Sequence, residues 1–210
     1  MKNIILIILL LSFGNNYCNN LISNDSIKSQ NPILFAEMVI AYSNGDVKGL
    51  SGIGSLNYQY RNNLFSFRGL EIIDDKKVGN FLIFPFLVQE EKINEYAILY
   101  GRRFIYDNHS LSYSLGVAYI DREYLVDDLN TVSNYYNLNY AEESFVGLPF
   151  ELNVKWFNSK KERYRIYELI PVGRQVGFAN SIGFKFYGAI AKKSYIGIGI
   201  SFGLGWHKTY

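Results

Sequence analysis

"SYIGIGISFGLGWHKTY", residues 194–210, decides the fold. Ile196, Ile198, Ile200, Phe202, Leu204 and Trp206 fall on one parity, while Gly197, Gly199, Ser201, Gly203 and Gly205 fall on the other. A period of two belongs to an extended strand, whose side chains alternate between its faces. Glycine in a strand interior weakens it, through lost backbone entropy and missing packing. A chain that keeps glycine on alternate positions therefore needs one bulky apolar face and one nearly bare face.

The same logic recurs upstream. In "FVGLPFELNVKW", Val146, Leu148, Phe150, Leu152, Val154 and Trp156 oppose Gly147, Glu151, Asn153 and Lys155. In "SIGFKFYGAIA", Ile182, Phe184, Phe186 and Ile190 oppose Gly183, Lys185, Tyr187 and Ala189. "LSYSLGVAYI" sets Leu111, Tyr113, Leu115, Val117 and Tyr119 against small residues, and "LSGIGSLNYQY" sets Leu56, Tyr58 and Tyr60 against Ser55, Asn57 and Gln59. "ILFAEMVIAY" and "EYAILYGRRF" carry weaker versions, and "LFSFRGLEI" loses its phase at Gly69, which reads as a bulge.

These strands are mostly about 9 to 12 residues long, close to the 9 to 11 that cross a bilayer at a 45° tilt. A water-soluble barrel would turn its bulky face inward and dress the outside with Lys, Glu and Thr. Here the polar face carries too little charge for a solvated surface; the last strand has none on it between Tyr195 and Gly205. The expectation is an all-β fold, a closed antiparallel eight-stranded transmembrane β-barrel, with lipid against the oily face and a cramped polar interior. Glu37, Arg68, Arg103, Glu151, Lys155 and Lys185 point inward and can pair, incompletely, across it. With the N-terminus on the periplasmic side, Tyr58, Tyr60, Phe65, Tyr100, Phe104, Tyr113, Trp156 and Trp206 gather near one interface as an aromatic girdle.

The start fits export. Lys2 followed by an apolar run from Ile4 to Phe13 has the charge and length of a signal peptide over 1–20, followed by a short segment 21–32 and the barrel over 33–210. The sole cysteine, Cys18, lies at the edge of the leader, so the mature domain has no disulfide framework. A lipoprotein anchor there is disfavoured, because Asn16 and Tyr17 are not small. Beyond Phe13 no apolar stretch reaches the length of a membrane helix. A formal net charge of +2 offers no general attraction for nucleic acid.

Strand counting rests on parity. "FLIFPFLVQ" (81–89) and "YRIYELIPV" (164–172) are further strand-like stretches, but counting both as crossings would put the long 121–143 segment in the periplasm, where turns are short. The reading places 81–89 in an outer loop and 158–176 in a long periplasmic turn, with Pro85 and Pro171 off the ladder. "SNGD" and "AKKS" read as outer hairpins, and "RNN" and "YDNHS" as inner turns.

The pieces "GLPFELNVKWF", "ILYG" and "SYIGIGISFGLGW" resemble the small outer-membrane β-barrel proteins of Bacteroidetes-type bacteria, in the manner of the OmpA and OmpX barrels. The resemblance implies fold and an outer-membrane location, and no shared activity. The chain departs from the usual pattern in its long 158–176 segment and in Tyr210, where phenylalanine is commoner.

Catalysis finds little support. His109 lies in an inner turn beside Ser110 and Ser112, and a polar turn is the plainer reading; His207 lies at the same end. No spacing suits a metal, and no cofactor is expected. The best functional candidate is the segment 121–143, with Asp121, Glu123, Tyr124, Asp127, Asp128, Tyr135, Tyr136 and Tyr140 among Asn and Ser. Six carboxylates face Arg122 alone there, and tyrosine among small polar residues suits an adaptable binding surface. A basic partner or a divalent cation would fit it; a solvated loop is the plainer alternative. The basic stretch with Lys160, Lys161, Arg163, Arg165 and Arg174 would suit inner-leaflet phosphate groups or plain solvent. The expected role is therefore structural or interactive through outer loops, as a monomer among outer-membrane lipid. Lipid-modifying enzyme and narrow pore are the alternatives.

Overall fold

The computed structural model describes residues 32–209 apart from 82–83, 128–137, 161–162, 167–169 and 176, and describes side chains outside 77–87 and 161–176. The leader and Cys18 lie outside the described residues, as do Asp128, Tyr135 and Tyr136. The strands are β1 (Ile33–Gly45), β2 (Gly49–Tyr60), β3 (Asn63–Phe81), β4 (Phe84–Tyr106), β5 (His109–Leu125), β6 (Tyr140–Phe157), β7 (Arg163–Ile166), β8 (Ile170–Gln175), β9 (Phe178–Ile190) and β10 (Tyr195–Trp206). Eight of them close an antiparallel barrel in the order β1-β10-β9-β6-β5-β4-β3-β2, and β7 with β8 forms a separate two-stranded hairpin. Closure pairs the first strand with the last, Ile40 standing across from Ile200 and Ala41 from Gly199.

The alternation of the sequence becomes the two faces of the wall. Along β1 every second residue from Ile33 to Ser43 is buried and its neighbours are exposed. On β10, Ile196, Ile198, Ile200, Phe202 and Leu204 are all exposed, while Ser201 is buried. The inner face is bare because the interior needs the room: a Cβ on Gly197 would lie 2.5 Å from the Tyr187 ring.

We call the end with the two-residue turns Arg61–Asn62 and Asp107–Asn108 the lower end, and the end with the 46–48 and 191–194 loops the upper end. Both lower turns need a backbone that most residues avoid, with φ of 55° at Arg61 and 31° at Asp107. The outward aromatics of the lower end meet across strands: Phe65 packs 5.3 Å from Tyr100, Trp156 6.1 Å from Phe184, and Phe178 5.2 Å from Trp206. Outward aromatic rings thus gather at one end of the barrel.

Several expectations need correction. The phase is not lost at Gly69, whose pairings with Gly54 and Tyr96 run on without a slip; bulges occur instead at Asp74/Asp75 and Lys77/Gly79. What changes past Gly69 is chemistry, because Leu70 and Ile72 turn inward and Glu71 outward. Residues 84–89 are not loop but the start of β4, extending the β3–β4 ribbon beyond the barrel's short strands. Pro85 and Pro171 stand within ladders, opposite Asn80 and Arg165, in ribbons two strands wide that leave an edge free for a residue without an N–H. The 158–176 segment contains the β7–β8 hairpin and adds no crossing.

The interior is also not polar throughout. Its middle holds charged side chains, but above them Val39, Leu70, Ile72, Ile93, Ala97, Ala118, Ile120 and the rings of Tyr187 and Tyr195 form an apolar layer. Below, Ile33, Phe35 and Leu64 form a smaller one with Ile105. Eight strands enclose a space just wide enough for side chains, and these fill it.

Candidate functional site

Two places carry unusual chemistry, the charged middle of the lumen and the upper wall formed by β3 to β6. In the lumen, alternate parity on five strands brings charged side chains to one level. Arg68 on β3 donates to Glu95 Oε1 on β4 from Nε (3.0 Å) and Nη2 (2.6 Å), and its Nη1 lies 3.5 Å from Glu151 Oε2 on β6. Lys185 on β9 donates to Glu37 Oε2 on β1 at 2.8 Å and to Glu151 Oε2 at 3.3 Å. Lys155 ion-pairs with Glu37, which also accepts from Ser55 Oγ at 3.0 Å and Asn153 Nδ2 at 3.2 Å. The Tyr195 hydroxyl donates to Glu95. Three cations thus meet three carboxylates in a buried web that ties β1, β3, β4, β6, β9 and β10 across the interior.

The sequence reading placed Glu37, Arg68, Arg103, Glu151, Lys155 and Lys185 inside, and all six are buried there. It missed Glu95, fully buried with them. The signal was present, because Glu95 shares the parity of Ala97 and Leu99, opposite the outward Tyr96. Arg103 stands apart, lower in the lumen. Its Nε donates to Ser110 Oγ (3.1 Å) and its Nη1 to Gln59 Oε1 (2.9 Å) and the His207 carbonyl (2.8 Å). Ser110 is thereby engaged by arginine and not by His109, whose Nδ1 lies 3.1 Å from Asn108 Oδ1 and whose ring stacks on Tyr106.

The upper wall exists because four strands are long. β3, β4, β5 and β6 run 19, 23, 17 and 18 residues, against 12 or 13 for β1, β2, β9 and β10. On this extension the faces exchange character. Below the level of Tyr96 and Tyr119 the outside is apolar; above it the outward positions are Glu71, Lys92, Asn94, Asp121, Glu123, Glu142 and Ser144, while Ile72, Ile93 and Ile120 point in and are fully buried.

No protein-family model matches the chain, and no curated protein matches it in sequence. Among solved structures it is similar to Neisserial surface protein A (9% identity, 82% of this chain and 95% of that one, TM-score 0.49). It is also similar to the attachment invasion locus protein Ail of Yersinia pestis (9%, 85% and 99%, 0.49) and to the N-terminal β-barrel domain of Pseudomonas aeruginosa OprF (10%, 82% and 99%, 0.42). The architecture itself is read from this chain's own strand pairing.

The two ends of the segment 121–143 are strand, and 128–137 lie outside the described residues. Asp121, Arg122, Glu123 and Tyr124 belong to β5, and Tyr140 to Glu143 open β6. Asp121 accepts from Ser144 Oγ at 2.7 Å, and the Tyr140 hydroxyl donates to the Gln89 carbonyl at 3.1 Å. Asp127 accepts from the Asn139 backbone N–H at 2.7 Å, closing the base of the connection. Glu123 stands directly across from Glu142, both facing out. Arg122 points the other way, over the Tyr124 ring at 4.3 Å, and pairs with Glu91 and, at 2.7 Å, with Glu143. Lys192 also bonds Glu143, and these two partners, Lys192 first, hold its carboxyl below the usual range. The structure therefore brings Asp121, Glu123, Tyr124, Asp127 and Tyr140 onto one wall.

Proposed function

We propose that this is an integral outer-membrane barrel whose function lies in the wall that rises beyond the membrane. The carrying observation is the reversal of polarity along β3 to β6. Outward residues of β10 from Ile196 to Trp206 cover about 33 Å of strand at 3.3 Å per residue. Tilted by about 40°, that span projects to about 25 Å, the height of the apolar band of an outer-membrane barrel. Water would not tolerate Met38 and Ile40 exposed beside Phe202 and Ile200 on such a belt, whereas lipid does. The tall wall has the opposite arrangement, oily inside and charged outside, as a surface in water requires.

The role supported best is interaction through that wall with a basic partner. Like charges directly opposite on a sheet destabilise it, yet Glu123 faces Glu142 with Asp121 on the same outer face. The lower end, with its short turns and girdle, lies on the periplasmic side. Cysteine labelling of intact cells tests the placement: Val126→Cys, at the top of the wall, labels from outside, and Asp107→Cys, in a lower turn, labels only after the membrane is breached. The reverse pattern would overturn the orientation, and recovery of the protein in the soluble fraction of lysed cells, without detergent, would overturn the membrane reading itself. Loss of binding of a polylysine probe in Glu123→Gln/Glu142→Gln tests the acidic surface.

A further inference from the structure

We infer that the lower part of the outer face carries a docking groove for one anionic glycerophospholipid of the periplasmic leaflet, an inference that rests on the membrane reading above. The groove crosses β1, β10, β9 and β6 and encloses about 800 Å³. Its upper edge is a row of four large side chains in register, Met38, Phe202, Ile182 and Trp156, all exposed. The next outward row down is Ala36, Leu204, Asn180 and Asn158, three of them short. Between the rows lie residues that face the lumen, Glu37 and Ser181 among them, so backbone floors the groove. Four strands at about 4.8 Å spacing make it about 14 Å long, and one step between outward neighbours makes it about 7 Å wide. Those proportions suit one extended hydrocarbon chain, whereas a helix, about 10 to 12 Å across, does not enter.

The polar end of the occupant follows from two further features. Asn180 presents an exposed amide on the outward face and makes no hydrogen bond among the described residues. An amide against hydrocarbon is unfavourable without a partner, and the ester and phosphate oxygens of a glycerophospholipid are acceptors for its N–H groups. The rings of Phe178 and Trp206, packed edge to face at this end, stand at the level where hydrocarbon gives way to ester and headgroup. Charge comes from the chain that leaves the groove. Asn158 opens the 158–176 segment, in which five Lys and Arg stand against Glu162 and Glu168, and Lys160, two residues past Asn158, is exposed. A basic segment at a membrane surface attracts anionic headgroups over neutral ones. A neutral lipid would fill the groove and satisfy the amide but leave that segment unused.

The test uses the full mature barrel in neutral detergent, titrated with lipid and read by native mass spectrometry. One phosphatidylglycerol is expected to bind about tenfold more tightly than phosphatidylcholine with the same chains, the difference that one or two basic residues near the headgroup supply. Ala36→Trp, which fills the groove from outside, is expected to abolish that preference, and Asn180→Leu to weaken binding of both lipids. Gly54→Leu, outward on β2 where a Cβ meets nothing within 4 Å, leaves both unchanged. Equal binding of the two lipids by the wild type would overturn the proposal, as would a preference that survives Ala36→Trp. Because Ala36→Trp can fail to fold, quenching is measured as well in Trp206→Phe, where Trp156 is the remaining tryptophan. A small fraction of brominated phosphatidylglycerol in phosphatidylcholine vesicles is expected to quench it more than the same fraction of brominated phosphatidylcholine, and equal quenching would overturn the proposal. These failures concern a barrel that inserts, so they are distinct from recovery of the protein without detergent, which removes the membrane reading beneath it.

Discussion

Glu37→Gln isolates what the lumen web contributes. Glu37 is the point where Lys155 and Lys185 converge, and it also accepts from Ser55 and Asn153. Glutamine has nearly the same shape and keeps one acceptor oxygen, so packing and the hydroxyl contact survive. What disappears is one negative charge between two buried ammonium groups. The lumen would then hold four cations, Arg68, Arg103, Lys155 and Lys185, against Glu95 and Glu151. Removing one partner of a buried ion pair typically costs about 3 to 5 kcal/mol, because the other charge is left uncompensated. The assay is urea unfolding from phospholipid vesicles, followed by the fluorescence of Trp156 and Trp206. Adding Lys155→Met restores the balance, and the double variant is expected to recover about 1 to 3 kcal/mol relative to the sum of the single ones. A loss below about 1 kcal/mol for Glu37→Gln would refute the reasoning, since buried uncompensated charge cannot be that inexpensive. So would strict additivity.

Three further outcomes follow from the two faces of the wall. Ile200→Arg, on the apolar belt, is expected to destabilise insertion by about 2 to 4 kcal/mol, while Ser144→Arg, above the belt, stays within about 0.5 kcal/mol of wild type; equal losses in vesicle-folding titrations would contradict the membrane level drawn here. Gly199→Ser is expected to lose about 1 to 3 kcal/mol in the same assay, because a Cβ there would meet Ala41 Cβ at 2.4 Å and the Ile40 carbonyl at 2.5 Å. Glu143 has a depressed pKa, so its contribution is fully present above its ordinary value of 4.5 and is lost as pH falls below that through the lowered value; amide exchange at the top of β5 and β6 is expected to quicken there, and Glu143→Gln to abolish the pH dependence.

The strands were legible because the barrel wall follows a rigid rule, bulky and apolar out, small or polar in, and "IGIGISFGLGW" obeys it at every position. Parity alone then placed six of the seven charged residues of the lumen. The rule fails where its physical cause ends. Past Gly69 on β3 the outward position is the charged Glu71 and the inward ones the apolar Leu70 and Ile72, so the pattern looks like a slip in phase, although the ladder continues unbroken. The stretch 84–89 reads as strand-like and goes to a loop only through strand counting, which counts crossings and does not show that one strand can run on beyond the barrel, while 121–125 resembles a loop because its outward face is charged. Gly199 shows a second limit of the pattern. Alternation shows which side a residue faces, but not that the neighbouring strand's backbone comes within a Cβ of it.

The uneven height of the barrel connects these observations. A short sector, β9-β10-β1-β2, ends in tight connections: Ser194 N–H donates to Asp46 at 2.8 Å and Asp46 N–H to the Ser194 carbonyl at 2.9 Å, which locks the 46–48 and 191–194 loops to each other. A tall sector, β3 to β6, continues upward as a sheet with no strands opposite to close it among the described residues. Such a sheet needs its inner face covered, and the apolar layer of Ile72, Ile93 and Ile120 supplies the lowest part of that cover. Above it, Arg122 links Glu91 to Glu143, and Lys192 reaches Glu143 from the short sector, tying the two heights together. The lumen is thus sealed by aliphatic side chains and then by a charged clasp, which leaves the outer face of the wall, with Asp121, Glu123 and Glu142, as the part free to meet another molecule. An open conduction path would require both seals to part, whereas binding on the outer face requires neither to move.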